Sequence, residues 1–161
     1  MIEVAITPEM IKQAQKEAEE LGVLRNSITE GNGNVAGILG ELVVAKATGS
    51  TKSNTRDYDL LRPDGSKSDV KTKRCTSQPE SYYECSVADF NTSQRCDSYV
   101  FVRVLKDFSK AWIVGELPKK EYFEKAKFLQ KGDYDPSNNW KCKADCYNVP
   151  ISKLNEVKPK E

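Results

Sequence analysis

One apolar segment constrains the fold of this chain more than any other. The stretch "VAGILGELVVAKAT", residues 35–48, has the length and the Ala, Leu and Val content of a mostly buried helix. Gly49 follows it and is placed to end the helix. Gly37 and Gly40 lower helix propensity, so we expect them to permit close approach of a neighbouring backbone.

A second helix is predicted near the amino terminus, over residues 7–22. Thr7 provides a hydroxyl cap, Pro8 occupies the first turn and Glu9 lies at the positive end of the helix dipole. Apolar residues then recur every three or four positions until Gly22. The polar, glycine-rich stretch "SITEGNGN" separates this helix from the apolar one.

After the apolar helix the hydrophobic pattern changes towards a period of two, which predicts strands. The predicted strands cover residues 58–61, 68–75, 82–87, 98–105, 111–115 and 146–149. A helix is predicted over residues 118–130, ended by Gly132. With 161 residues, 38% of them hydrophobic, the chain is expected to form one α/β or α+β domain over residues 1–161. Its core is expected at about residues 35–130.

Composition excludes several classes of function. The chain has no histidine, which removes histidine-based general base catalysis and most zinc hydrolase sites. A formal net charge of +1 means that any nucleic-acid binding must rest on a local basic patch. The amino terminus lacks a secretory pattern and no apolar run is long enough to span a membrane, so we expect a soluble, cytoplasmic protein without a membrane partner.

The five cysteines are an odd number and are expected to be reduced thiols. Cys142 and Cys146, spaced C-x₃-C, leave a cysteine-bound zinc as a weak alternative.

Charged residues cluster in "DYDLLRPDGSKSDVKTK", residues 57–73. The "RPDGS" turn predicts a hairpin that brings Asp59 alongside the next strand. Alternation along that strand puts Asp69, Lys71 and Lys73 on one face, with Val70 and Thr72 on the other. Two carboxylates this close repel unless a divalent cation lies between them, and oxygen ligands suit Mg²⁺ or Mn²⁺.

These residues resemble the PD-(D/E)XK nuclease superfamily, whose signature is an acid, a variable gap and then acid-any-lysine on a paired strand. Asp59 is similar to the first acid, and Asp69-Val70-Lys71 is similar to the acid-X-Lys element. Glu41 occupies the place of the glutamate that many members carry on the preceding helix, and the order of elements also corresponds. One departure is Tyr58, which stands where the motif has proline.

The resemblance implies a restriction-endonuclease-like domain with a central mixed sheet flanked by helices. Asp59, Asp69 and the main-chain carbonyl of Val70 would ligate the metal, and Lys71 would position the attacking water. Glu41 would act through a second metal or a bridging water. Asp57 replaces Asp59 if the strand register slips by two.

The implied function is hydrolysis of phosphodiester bonds in DNA, with endonuclease action the first choice and a junction resolvase an alternative. Lys73, Arg74 and Gln78 are the candidate nucleic-acid contacts. Specificity would come from a homodimer, a partner protein or the structure of the DNA. A non-catalytic nucleic-acid-binding or assembly module with the same fold is the rival from another class.

Overall fold

The computed structural model describes residues 1–22, 32–53, 55–135 and 140–160. Three α-helices lie in these residues: α1 (Pro8–Gly22), α2 (Asn32–Thr48) and α3 (Lys119–Lys125). The strands in chain order are β1 (Ile2–Ala5), β2 (Thr51–Lys52), β3 (Leu60–Leu61), β4 (Lys67–Cys75), β5 (Glu84–Ala88), β6 (Ser98–Leu105), β7 (Lys110–Pro118), β8 (Lys127–Leu129), β9 (Tyr134–Asp135), β10 (Trp140–Lys141) and β11 (Cys146–Pro150).

A mixed, six-stranded sheet forms the centre of the molecule, in the order β1-β7-β6-β4-β3-β2. Strands β4 and β6 are parallel, with Asp69 opposite Tyr99 and Lys71 opposite Phe101. The other neighbours in this sheet are antiparallel. The expected α+β class with a central mixed sheet is confirmed at this level.

The two faces of the central sheet carry different layers. Helices α1 and α2 cover one face, where Leu39 and Val43 pack with Val70 and Val102. A three-stranded sheet, β5-β11-β8, and the short helix α3 cover the opposite face. Because side chains alternate along a strand, consecutive residues of β4 enter different layers. This arrangement decides which side chains of β4 can meet.

The two glycines of α2 behave differently. A Cβ added at Gly40 would lie 2.0 Å from Oγ1 of Thr72 on β4, so the prediction of a close approach is confirmed there. It is wrong for Gly37, where nothing lies within 4 Å of such a Cβ. Gly49 has a φ of 70° and ends the helix as predicted.

The amino-terminal helix begins as its sequence predicts. Thr7 Oγ1 accepts a hydrogen bond from the main-chain N–H of Met10, 3.2 Å away. Strand β1 was not predicted, although Ile2 and Val4 alternate with Glu3 and pair with β7.

The helix predicted over residues 118–130 is too long. It ends at Lys125, and Ala126 has an extended backbone with a ψ of 143°. Lys127–Leu129 instead form β8, which pairs with β11, and the ring of Phe128 lies 5.1 Å from that of Tyr147. Tertiary pairing with a distant strand therefore overrides the local helical spacing.

Two predicted strands also need correction. The strand predicted over residues 58–61 contains only Leu60–Leu61. The strand predicted over residues 82–87 is Glu84–Ala88, and it belongs to the second sheet, where it pairs with β11. Within the part of the chain that the structure describes, no helix is both long and apolar enough to cross a membrane.

Candidate active site

The predicted hairpin ends at Asp59, and from there the side-chain carboxylate, not a main-chain carbonyl, accepts the next hydrogen bond from β4. Strand β3 pairs with β4 only through Leu60 and Leu61. Beyond them, the N–H of Asp59 donates to the carbonyl of Ser68 at 3.0 Å. Oδ2 of Asp59 then accepts from the N–H of Val70 at 2.8 Å, where a longer strand would have supplied a carbonyl. This bond fixes the carboxylate of Asp59 beside the middle of β4.

Asp69 and Lys71 project together from β4, on the face away from α2. Lys71 Nζ lies 2.7 Å from Oδ2 of Asp69, and the Asp69 residue is only 3% exposed. Gln94, from the loop before β6, connects both: its Nε2 donates to Oδ1 of Asp69 at 3.3 Å, and its Oε1 accepts from Lys71 Nζ at 3.1 Å. The predicted acid-X-Lys pair is therefore held in one hydrogen-bonded group.

Burial and mutual repulsion perturb two of the acids. Burial raises the pKa of Asp59 to about 8, and the neighbouring charges of Asp69 and Glu41 act in the same direction. Burial also raises the pKa of Glu41 to about 6, against the favourable charge of Lys52. Asp59 interacts directly with both other acids through its side chain. The three carboxyl groups thus lie close together without full compensation by positive charge.

The chemistry of these donors fits a hard divalent cation. All are oxygen atoms, which Mg²⁺ and Mn²⁺ prefer. Oδ2 of Asp69 is buried and has no hydrogen-bond partner among the described residues, although the Lys71 ammonium lies 2.7 Å away. The N–H of Val70 points towards Asp59, and the carbonyl of the same strand residue points to the same side.

The fit concerns two carboxylates and a main-chain carbonyl. Among the described residues, no group of three or more His, Cys, Asp or Glu side chains is arranged to bind a metal ion. The role of Glu41 as a further ligand therefore stays a prediction.

A polar cleft of about 680 Å³ opens beside the acid cluster. Glu41 and Asp59 line it, together with Glu17 and Arg56. Glu17 is engaged by Lys52, whose Nζ lies 3.0 and 3.2 Å from the two carboxylate oxygens. The cleft gives solvent and solutes access to Asp59 from the α1 side.

Of the other predicted site residues, Asp57 lies away from the acid cluster and Lys73 lies on the same face as Lys71. Asp57 points elsewhere than Asp59, because its Oδ1 accepts from the N–H of Arg95 at 3.2 Å. Lys73 shares the face of Lys71 and donates to Oγ of Ser86 at 3.2 Å.

The remaining two nucleic-acid candidates lie apart from this face. Arg74 lies on the α2 side of β4, with its guanidinium carbon 5.6 Å from the centre of the Phe108 ring. Gln78 is exposed in the loop that follows β4. Arg74 therefore does not share the face of Lys73, and the role of all three residues in nucleic-acid binding stays a prediction.

The cysteine pair lies outside the site. The Sγ atoms of Cys142 and Cys146 are 3.1 Å apart and buried next to Leu129. In the described part of the chain, no third cysteine or acid joins them as a metal-binding group.

Two residues near the predicted site residues were not predicted: Gln94, beside Asp69 and Lys71, and Arg103, opposite Lys73 on β6. Gln94 lies more than twenty positions from Asp69 and Lys71 in the sequence, so no local pattern identifies it. Arg103 does carry a signal, because it interrupts the apolar strand "SYVFVRVL" with a charge. Comparison with known proteins adds no assignment: no family model matches this chain, and no curated protein matches it.

Proposed function

We propose that this chain is a metal-dependent nuclease of the PD-(D/E)XK type that hydrolyses phosphodiester bonds in DNA, most simply as an endonuclease. The observation that carries the proposal is the meeting of Asp59, Asp69 and Lys71 at the middle of β4. Asp59 is fixed there by Val70, and Lys71 contacts Asp69 at 2.7 Å. The negative charge of the two carboxylates is only partly neutralised by the lysine, which would destabilise a purely structural core. The same arrangement is favourable for binding a cation and a phosphate.

Each residue of the site has a separate role in the proposed reaction. Asp59, Asp69 and the carbonyl of Val70 would hold Mg²⁺ or Mn²⁺, which would supply activation of water and stabilisation of negative charge at phosphorus. Lys71 orients the attacking water and stabilises charge on the phosphate oxygens. Glu41, with a pKa of about 6, accepts a proton near neutral pH. Gln94 hydrogen-bonds both Lys71 and Asp69 and so fixes the positions of the two side chains relative to each other.

The fold supports the same proposal. The apolar helix α2, which carries Glu41, packs on the face of β4 opposite to Asp69 and Lys71, and the hairpin that carries Asp59 precedes β4. This order is the one expected for a restriction-endonuclease-like domain. DNA is the proposed substrate, and a homodimer or a partner protein supplies specificity.

A second candidate is a non-catalytic nucleic-acid-binding module. It is favoured by one observation, the lack of a three-ligand metal group among the described residues. The two candidates differ in whether the acid cluster is needed for anything beyond folding.

Cleavage of supercoiled plasmid and of single-stranded DNA, with Mg²⁺, Mn²⁺ or EDTA, tests the proposal. We expect metal-dependent cleavage that is lost in Asp69→Asn and in Lys71→Ala. Asp57→Asn is the matched control, because Asp57 also accepts a main-chain N–H but lies outside the acid cluster. Folded protein that binds DNA without cleaving it in any metal would replace the nuclease proposal with the non-catalytic one.

A further inference from the structure

A second cavity lies on the Lys71 side of the sheet, away from the acidic cleft. It measures about 280 Å³ and opens between β4 and β6 of the central sheet and the strand β5 of the smaller one. Four of its lining side chains are basic: Lys71, Lys73, Arg103 and Lys143. None of the described residues that line it is acidic. We refer to it as the basic cavity.

The positive charges of the basic cavity repel one another. Loss of hydration lowers the pKa of Lys73, and the charge of Arg103 lowers it further, whereas Cys85, Cys146 and Glu84 oppose this with smaller effects. Lys73 is still accessible, because it faces the open cavity. A chain that brings two cations together in this way is stabilised when an anion enters between them.

Neutral groups are among the partners of Lys73 and Arg103. Ser86 Oγ accepts from Lys73 Nζ and donates to Oδ1 of Asn148 at 2.6 Å. The guanidinium of Arg103 donates to the carbonyl of Glu84 at 2.8 Å and lies over the ring of Tyr83. Arg103 therefore retains further N–H donors, since a guanidinium has five.

Size and position indicate which anion fits. The volume is at the lower end of the roughly 300 to 1,000 Å³ of ligand pockets, so it admits a phosphate with part of a nucleotide but not a duplex. Lys71 and Lys73 are alternate residues on one strand, about 7 Å apart. That spacing is comparable with the distance between successive phosphates of one nucleic-acid strand.

We propose that the basic cavity binds the phosphate next to the one that is cleaved, through Lys73, Arg103 and Lys143, so that the protein engages a single strand or a strand end. The neighbourhood of a cleaved phosphate rests on the proposed function. Binding of a phosphate in the cavity does not, because it needs neither the metal nor Asp69.

Binding without cleavage tests this inference. The probe is a short single-stranded DNA with a fluorophore at its 3′ end, carrying either a 5′-phosphate or a 5′-hydroxyl, titrated with protein in EDTA. We expect Lys73→Ala and Lys143→Ala each to weaken binding about tenfold, the effect of losing one good phosphate contact. Lys141→Ala is the matched control, because Lys141 is an exposed lysine near Lys143 that does not line the cavity.

The salt dependence provides a second readout. If both lysines bind one phosphate, the double variant should reduce the slope of log K against log salt by about 0.7, the value for one contact to a single strand. If the lysine variants lose more affinity for the 5′-phosphate probe than for the 5′-hydroxyl probe, the ligand is a terminal phosphate. If they lose equal affinity for both probes, the ligand is an internal phosphodiester.

Binding by Lys73→Ala and Lys143→Ala that equals binding by Lys141→Ala would overturn the inference. Its failure is distinct from failure of the proposed function. A protein that keeps lysine-dependent binding in EDTA but never cleaves retains the phosphate site and loses only the nuclease assignment.

Discussion

Replacement of Gly40 by alanine tests the contact that sets the distance between α2 and β4. The new Cβ would lie 2.0 Å from Oγ1 of Thr72, and 3.1 Å from both its Cβ and its Cγ2. Non-bonded atoms rest at roughly 3.5 Å, so the helix and the strand have to separate or tilt. Gly40 precedes Glu41 and Thr72 follows Lys71, so this displacement also changes the geometry of the site.

The expected magnitude is the difference between two effects. Alanine in place of glycine inside a helix contributes about 1 kcal/mol of stability. Overpacking of a tight interface costs about 1 to 3 kcal/mol, and an overlap above 1 Å belongs at the upper end. We therefore expect Gly40→Ala to lower the free energy of unfolding by about 2 kcal/mol, which lowers Tm by about 4 to 8 °C for a chain of this size.

Two further variants isolate the cause. Gly37→Ala lies on the same helix with nothing within 4 Å of the new Cβ, so it should increase stability by about 0.5 to 1 kcal/mol. Thr72→Ala removes a buried hydroxyl that has no hydrogen-bond partner among the described residues. Combined with Gly40→Ala, it should restore most of the lost stability.

Urea denaturation followed by circular dichroism measures the wild type, the three single variants and the double variant, with a nuclease assay beside it. Gly40→Ala should also lower cleavage, whereas Gly37→Ala should leave it unchanged. Equal stability of Gly40→Ala and Gly37→Ala, or no rescue by Thr72→Ala, would refute the close approach of α2 to β4.

Three further predictions concern the site and the smaller sheet. Between pH 3.8 and about 8 the folded protein keeps a proton on Asp59 that the unfolded chain has lost, so stability falls as pH rises through this range. Asp59→Asn keeps the Val70 hydrogen bond and removes this slope, so in EDTA it should exceed the wild type by about 2 kcal/mol at pH 8, after allowance for partial exposure, and equal slopes in urea denaturation would contradict this. Tyr122→Phe should cost about 1 to 3 kcal/mol in the same assay, because the hydroxyl donates towards two main-chain carbonyls, at 2.8 and 2.9 Å. Gln94→Glu places a second carboxylate beside Asp69, so it should lower kcat for DNA cleavage at least tenfold while the fold, followed by circular dichroism, is retained.

Patterns in the sequence correctly predict the helices and strands that are stabilised mainly by interactions between residues close together in the chain. The apolar helix, its end at Gly49 and the strand from Ser98 to Leu105 follow from residue spacing and turn chemistry, and the structure has them where the sequence indicates. The helix predicted over residues 118–130 fails because pairing of Lys127–Leu129 with β11 is a contact that no local window contains.

The candidate site divides in the same way. Strand alternation correctly places Asp69, Lys71 and Lys73 on one face, since the period of a strand is fixed by its backbone. The sequence favours Asp59 over Asp57, and the hydrogen bond from Val70 holds the carboxylate of Asp59, not that of Asp57, beside Asp69. Arg74 was predicted as a nucleic-acid contact together with Lys73, but strand alternation turns it to the opposite face, towards Phe108.

The sequence by itself determined that an acid and a lysine lie on one strand, that a hairpin precedes it and that a buried helix carries Glu41. The tertiary structure decided which atoms meet. Gln94 reaches Asp69 and Lys71 from a distant loop, and Arg103 and Lys143 line the same cavity as Lys73 from another strand and another loop. Such contacts depend on how the two sheets pack, because the residues involved are far apart in the chain and share no local period.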